Sequence, residues 1–381
     1  SGKFHLGKAM KPIAIALLSA AALLGAFAQG HAAALPLAAG AAGASALPYG
    51  GPFRPLPKAS RALTRIAFGS CSTAEAPIPV LQRVVADRPD LFVYGGDNVY
   101  GDVRSGDRAA PELRAQYEKL AANADYVALR QAVPIVATWD DHDYGLNDAG
   151  VEFVAKEASK RLFETYFAKG KRLAKHEGVY DSYAFGPKGE RVQILLLDTR
   201  WSRSALARLP ERGPRGPYTA SQDGDQHMLS EAQWAWLEAK LNEKATLRFL
   251  VSSVQVLADG HNFEGWYTLP KEQERLYGLI KKVGAKGLVM VSGDRHVAGI
   301  YRQDGLIGYP AYELTASSLN RSVRAASDEQ SSNQLGALYA PVNYGLADID
   351  WAGRIVSLQV KDLAGQIVRE QKIAFSEIGV R

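Results

Sequence analysis

The chain has 381 residues, with 45 basic against 40 acidic side chains and a formal net charge of +5. That length can bury a large core in one domain or two, and a balanced charge with no long basic run gives no basis for a nucleic-acid-binding role. A single cysteine, Cys71, excludes an intramolecular disulfide.

At the N-terminus Lys3, Lys8 and Lys11 precede an apolar run over 12–28, and small residues follow at Ala26-Phe27-Ala28 and Ala32-Ala33-Ala34. This is the layout of a secretory signal peptide over 1–34, cleaved after Ala28 or Ala34. The rival reading, an uncleaved membrane anchor, is disfavoured because the run sits at the short limit for a span; no stable span is expected after cleavage, and the mature protein is expected to be periplasmic or secreted. Residues 35–60, rich in Ala, Gly and Pro, read as a flexible leader, and 61–381 as one folded domain. In an oxidising compartment a lone thiol such as Cys71 must be buried or bound to something.

Along the body, apolar runs alternate with helical spacing. Residues 64–68 are expected as a strand ending in Gly69-Ser70-Cys71, 79–86 as a helix, and 91–94 as a strand ending in Gly95-Gly96-Asp97-Asn98. A helix is expected over 113–120, then a strand over 134–138 that runs into Trp139-Asp140-Asp141-His142-Asp143. Three carboxylates packed around one imidazole repel one another and make sense mainly when a cation neutralises them. The spacing of Phe153, Leu162, Phe163 and Phe167 predicts a long amphipathic helix over 152–167. Segments 179–185 and 191–197 flank Gly186-Pro187-Lys188-Gly189 as a hairpin, and the second ends in Asp198-Thr199-Arg200.

Ser230 can cap a helix over 230–241, with Gln233 three residues on. Strands follow over 247–256 and 286–291, the latter ending in Ser292-Gly293-Asp294-Arg295-His296. Short alternating segments at 344–349, 354–361 and 366–375, joined by Gly-containing turns, read as an antiparallel meander. The expected fold is therefore mixed α/β, a sandwich of two mixed β-sheets flanked by helices with antiparallel C-terminal strands.

Cys71, Asp97, Tyr100, Asp140, Asp141, His142, Asp294 and His296 all fall at or just beyond the C-terminal end of an expected strand. Neighbouring strands would bring them to one rim, where open α/β sheets place their chemistry. Thiol, phenol, carboxylate and imidazole together suit a trivalent or borderline metal such as iron, whereas clustered carboxylates and amides suit calcium, magnesium or manganese. Two ions sharing a carboxylate can hold the attacking and leaving oxygens of a phosphoryl transfer.

Taken in order, Gly69-Ser70-Cys71, Gly96-Asp97-Asn98-Val99-Tyr100, Trp139-Asp140-Asp141-His142-Asp143, Leu197-Asp198-Thr199-Arg200 and Ser292-Gly293-Asp294-Arg295-His296 resemble the signature of the PhoD-like (alkaline phosphatase D) family of metallophosphoesterases. The resemblance implies Fe3+ held by Cys71, Asp97, Tyr100 and His296, with Asp97 bridging to Ca2+, or to Mg2+ or Mn2+ in its place. Asp141 and Asp294 would complete the second site, and Asp140 and Asn98 would be either ligands or supports behind them. His142 resembles the group that stabilises or protonates the leaving oxygen. Arg200, or else Arg203, is the candidate for binding substrate phosphate, the other reading being a strand-end ion pair of Arg200 with Asp198. Beyond the acidic motif the run Tyr144-Gly145-Leu146-Asn147-Asp148 departs from the larger relatives.

The function these residues imply is an exported, metal-dependent phosphoric ester hydrolase, phosphodiesterase or alkaline phosphatase. Its metal-activated hydroxide would attack phosphorus in line. The alternative is a secreted metal-binding protein with a degenerate site. A serine hydrolase is disfavoured because no Gly-x-Ser-x-Gly turn occurs, and dinucleotide and P-loop motifs are absent too.

Overall fold

A computed structural model describes residues 52–167, 172–173, 176–213, 215–324, 329 and 331–381. The expected signal peptide and most of the expected leader lie outside the described residues. Within the leader's last stretch, Phe53 packs edge-on against Tyr126, with ring centroids 6.5 Å apart. No helix among the described residues is long and apolar enough to cross a membrane.

Two six-stranded mixed sheets form the body, as the alternation of segments predicts. In the first, the parallel strands β1 (Arg65–Gly69), β2 (Leu91–Gly95) and β3 (Ile135–Thr138) continue from β1 into an antiparallel run of β12 (Asn343–Asp350), β13 (Ile355–Asp362) and β14 (Ile367–Ala374). In the second, β5 (Val192–Leu196), β8 (Leu247–Val251), β9 (Leu288–Ser292) and β11 (Ala311–Ala316) are parallel, and β4 (Asp181–Phe185) and β10 (Ala298–Gln303) close the two edges antiparallel. The third strand pair, β6 (Arg208–Gly213) and β7 (Gly216–Tyr218), is a small hairpin.

Strand periodicity divides the core. Ile66, Phe68, Val93 and Val136 join Ile194, Phe249 and the rest of the second sheet in one buried cluster, with Phe68 and Phe249 rings 5.5 Å apart. Their neighbours Ala67, Phe92, Tyr94 and Ala137 point the other way, into a second cluster shared with helices. Those helices are α1 (Val80–Asp87), α2 (Pro111–Ala122), α3 (Ala124–Ala132) and α5 (Lys156–Tyr166), while the four-residue α4 (Asp141–Tyr144) follows β3 directly. On the second sheet's side, α6 (Glu231–Leu241) and α7 (Pro270–Val283) contribute Trp234, Leu237, Leu276 and Ile280 to the first cluster. Strands buried on both faces explain the near-continuous apolar runs of the sequence.

Several boundaries differ from expectation for local reasons. The helix expected from residue 152 starts at Lys156, because Val151 N donates to Arg203 O and the Glu152 carboxylate accepts from Gly150 N, which holds a turn there. The strand expected to reach 256 stops at Val251. Beyond it, Val256 N and Leu257 N donate to the buried carboxylate of Glu313 at 2.9 and 2.6 Å instead of to a neighbouring strand. Ser230 caps α6 as expected, accepting from Gln233 N, but the Gln233 side chain turns away to bond both backbone groups of Asp198. The helix α7 was not anticipated, although Pro270 at its first turn and left-handed Gly284 at its end are the usual punctuation.

Candidate metal centre

The parallel strands of both sheets deliver their C-terminal ends to one rim. Cys71 follows β1, Asp97 follows β2, Asp140 and Asp141 follow β3, and Asp294 and His296 follow β9. The loops interlock closely: Cys71 N donates to Gly96 O, Ser72 N to Asp97 O, and Gly293 N to Ser253 O. A Cβ on Gly293 would lie 2.5 Å from Ser70 Oγ, and one on Gly96 would lie 2.7 Å from Asp140 Cβ, so only glycine lets these loops meet. Cys71, Asp97, Asp294 and His296 all adopt left-handed backbone, with φ of 58°, 49°, 67° and 56°. Such conformations cost free energy in non-glycine residues and gather where geometry serves a site.

Among the described residues, Asp97 is common to every cluster of ligand-type atoms lying within 4.8 Å of one another: with Cys71 and His296, with Asp141 and His142, and with Asp140, Asp141 and Asp294. Its Oδ2 stands 3.5 Å from Cys71 Sγ and accepts from Tyr100 OH at 3.1 Å, and that phenol also meets His296 Nε2 at 2.8 Å. Ser317 ties the thiol to the backbone of His296, its Oγ 3.2 Å from Cys71 Sγ and accepting from His296 N at 2.9 Å.

The electrostatics of this rim call for positive charge. Burial, reinforced by Asp141 and the Cys71 thiol, raises the Asp97 carboxyl well above the carboxylate range. Burial with Asp140 and Asp141 does the same to Asp294, and the Cys71 thiol is pushed up to about 12, mainly by burial, against the pull of its hydrogen bond to Ser317. Tyr100 is raised by burial and by Asp97, and His296 falls to about 4 through burial and nearby Arg321. The protein alone thus opposes ionising the groups it gathers, and a cation is what stabilises their ligand forms. Two buried acceptors also fit this reading, because Asp140 Oδ2 and Asn98 Oδ1 have no hydrogen-bond partner in the protein.

Around these groups stands a supporting frame. Asp143, the third acid of the cluster, accepts from Asp140 N at 2.5 Å and from Asp97 N and Asn98 N at 3.2 Å, pinning the β2 and β3 loops together. Asp141 accepts from His142 N and Asp148 N. Arg200 lies elsewhere than expected. Its side chain is fully buried, donates to Asp140 Oδ1 at 2.6 Å and forks onto Glu264 at 2.7 and 2.8 Å. A guanidinium so enclosed cannot clamp a substrate phosphate, and the expectation is corrected to a brace for Asp140.

His142 lines an open cavity of about 940 Å³ together with Asp141, Asp294 and His296. Its Nδ1 is 2.7 Å from Asp102 Oδ1. Burial resists charging the ring, but Asp141, Asp97 and Asp102 together raise it to about 10. Asp102 was missed in the sequence, although it lies only two residues past Tyr100 in the same strand-end motif. Ser317, Ser253 and Glu264 carried no pattern at all.

Comparison with known proteins concerns the family and the fold. The family model described as PhoD-like phosphatase matches residues 66–355. Alkaline phosphatase D of Bacillus subtilis (strain 168) is 24% identical over 286 residues, covering 64% of this chain and 48% of that relative. The chain therefore spans about half the length of that relative. A solved structure of PhoD superposes with a TM-score of 0.63 at 16% identity, over 84% of this chain and 73% of that one. The structure of GAP50, the anchor in the inner membrane complex of Plasmodium, reaches 0.52 at 12% identity, over 82% and 89%. The two-sheet sandwich expected from the sequence is the fold of PhoD.

Proposed function

This chain belongs to the PhoD-like phosphatase family, and from that premise we propose that it is a metal-dependent phosphoric ester hydrolase. The observation that carries the proposal is the convergence on Asp97 of a thiol, a phenol, two imidazoles and three further carboxylates, beside a histidine braced for proton transfer. Cys71, Asp97, Tyr100 and His296 suit Fe3+. Asp97, Asp141 and Asp294, with the free oxygens of Asp140 and Asn98, suit a harder ion such as Ca2+, Mg2+ or Mn2+. When bound, such ions supply Lewis acidity that polarises phosphoryl oxygens and acidifies a water for in-line attack.

The remaining chemistry belongs to the chain itself. Asp102 is held below its ordinary carboxylate range, against its burial, by the hydrogen bond from His142, so it is the acceptor and Nδ1–H the donor. That leaves His142 Nε2 as the atom that carries a proton to the departing ester oxygen. Asp143 and Arg200 act by position alone, the first fixing the loops and the second fixing Asp140.

Export is part of the same proposal: residues 1–34 would be the signal, 35–60 a leader, and 61–381 the single catalytic domain. The competing reading, a metal-binding protein with a degenerate site, is disfavoured by the intact His142–Asp102 pair. Release of a chromogenic phenol from aryl phosphate mono- and diesters distinguishes the two. Hydrolysis that a chelator abolishes is expected, and bound metal without any hydrolysis would support the degenerate site.

A further inference from the structure

The cavity beside His142 is lined by several arginines, and their partners sort them. Arg104 pairs with Asp102 at 3.3 Å, Arg295 pairs with Glu329, and Arg208 lies over the Tyr218 ring with its guanidinium carbon 5.1 Å from the centroid. Arg208 and Arg212, which lines the cavity too, are as exposed as Arg321 and likewise in no ion pair among the described residues, but Arg321 is set apart by the ring it lies on. Its guanidinium carbon is 4.2 Å from the centroid of Tyr100, the ring that also meets His142 and His296.

Its backbone is held with unusual care for an exposed side chain. Leu319 N donates to Ser70 O at 3.1 Å and Asn320 N to Cys71 O at 3.4 Å, and on the other side Val323 N donates to His296 O at 3.4 Å. The Asn320 side chain accepts from Thr73 N at 2.7 Å and donates to Thr73 O at 2.9 Å. The residue is thus suspended between the loops that carry Cys71 and His296. A second cavity, of about 450 Å³, is lined by Tyr100 and shares Asp102, Arg104, His142 and Arg321 with the first. Arg321 and His142 both lie against the Tyr100 ring, His142 with ring centroids 4.2 Å apart.

We propose that Arg321 is the substrate-positioning residue of this site, binding the non-reacting oxygens of a phosphoryl group at the junction of the two cavities beside His142. A guanidinium presents paired donors that match two phosphate oxygens, and stacking on an aromatic ring leaves those donors free in the ring plane direction. The acids that gather the cations repel an approaching phosphate, so a cation uncommitted to them is needed at the point of entry. This assignment rests on the phosphoester hydrolase reading, which left the phosphate without an arginine once Arg200 proved to be enclosed.

The test compares the metal-replete wild-type protein with Arg321→Gln and Arg321→Lys. Three quantities are read: steady-state kinetics on an aryl phosphate ester, direct binding of inorganic phosphate by calorimetry, and metal content by elemental analysis. For Arg321→Gln we expect KM and the phosphate dissociation constant to rise roughly 10- to 100-fold, with kcat less affected and metal content unchanged. Arg321→Lys should recover part of the loss. Unchanged phosphate binding in Arg321→Gln would overturn the assignment. So would loss of metal in parallel with activity, since Arg321 would then act by supporting Tyr100. If the wild type hydrolyses no ester, the parent reading fails separately, and the phosphate titration still decides for or against Arg321.

Discussion

His142 Nδ1 and Asp102 Oδ1 stand 2.7 Å apart at the edge of the cavity, which fixes the ring and commits its other nitrogen to the reacting side. Replacing Asp102 by Asn removes the charge and leaves the tautomer undetermined, while both metal clusters keep their ligands. Asp102→Asn should therefore lower kcat roughly 10- to 100-fold, a share of what proton transfer contributes, with KM and metal content near wild type. Steady-state kinetics on an aryl phosphate check this, and an unchanged kcat would remove Asp102 from the account.

Cys71 is fully buried and paired with Ser317 and Asp97. As a thiol at about 12 it must lose its proton to act as a ligand, so metal uptake releases protons and affinity rises with pH. Cys71→Ser should lose iron, together with the visible absorption of thiolate or phenolate bound to ferric iron. Ser317→Ala, which removes only a hydrogen bond, should keep both. Elemental analysis paired with a visible spectrum distinguishes the variants.

Glycines 96 and 189 separate backbone strain from packing. Both have positive φ, 107° and 94°, but a Cβ at Gly96 would meet Asp140 whereas one at Gly189 meets nothing within 4 Å. Gly189→Ala should cost about 1 kcal/mol from the backbone alone. Gly96→Ala should cost more and reduce activity, because Asp140 must move. Denaturant unfolding with parallel activity measurements tests the pair.

The stability of the fold should carry a signature from His261. It is buried, accepts from Phe263 N through Nδ1 at 3.1 Å and meets Gln255 Oε1 through Nε2 at 3.0 Å. Burial and the nearby Arg295 hold it well below its ordinary 6.5. The folded state therefore keeps the ring neutral while the unfolded chain takes up a proton below about pH 6.5, so stability falls as pH falls through that region. The loss is at most about 1.4 kcal/mol per pH unit. Urea unfolding from about pH 7.5 to 5 should show a steeper decline for wild type than for His261→Gln, and equal slopes would contradict the assignment.

Much of the fold and the centre of the site could be read in the sequence, because both depend on strands that end in ligand-type residues. Cys71, Asp97, Asp141 and His296 declare themselves by following apolar runs. The rest could not be read for physical reasons. Asp140 and Arg200 look equivalent to functional groups in a linear chain, and only burial shows that one holds the other. Glu313, on a strand far along the chain, takes the Val256 and Leu257 amides that the apolar run alone would assign to β8. Arg321 and Ser317 belong to a segment without periodicity, and they reach the site because Leu319, Asn320 and Val323 bond across to loops more than a strand away.

The central claim is that this rim is a working metal centre for phosphoester hydrolysis. It is tested most directly by the turnover of a chromogenic aryl phosphate ester before chelation, after it, and after iron and calcium are restored, with metal content measured in each state. Activity should fall with the metal and return with it. A metal-free protein that retained full turnover would contradict the account.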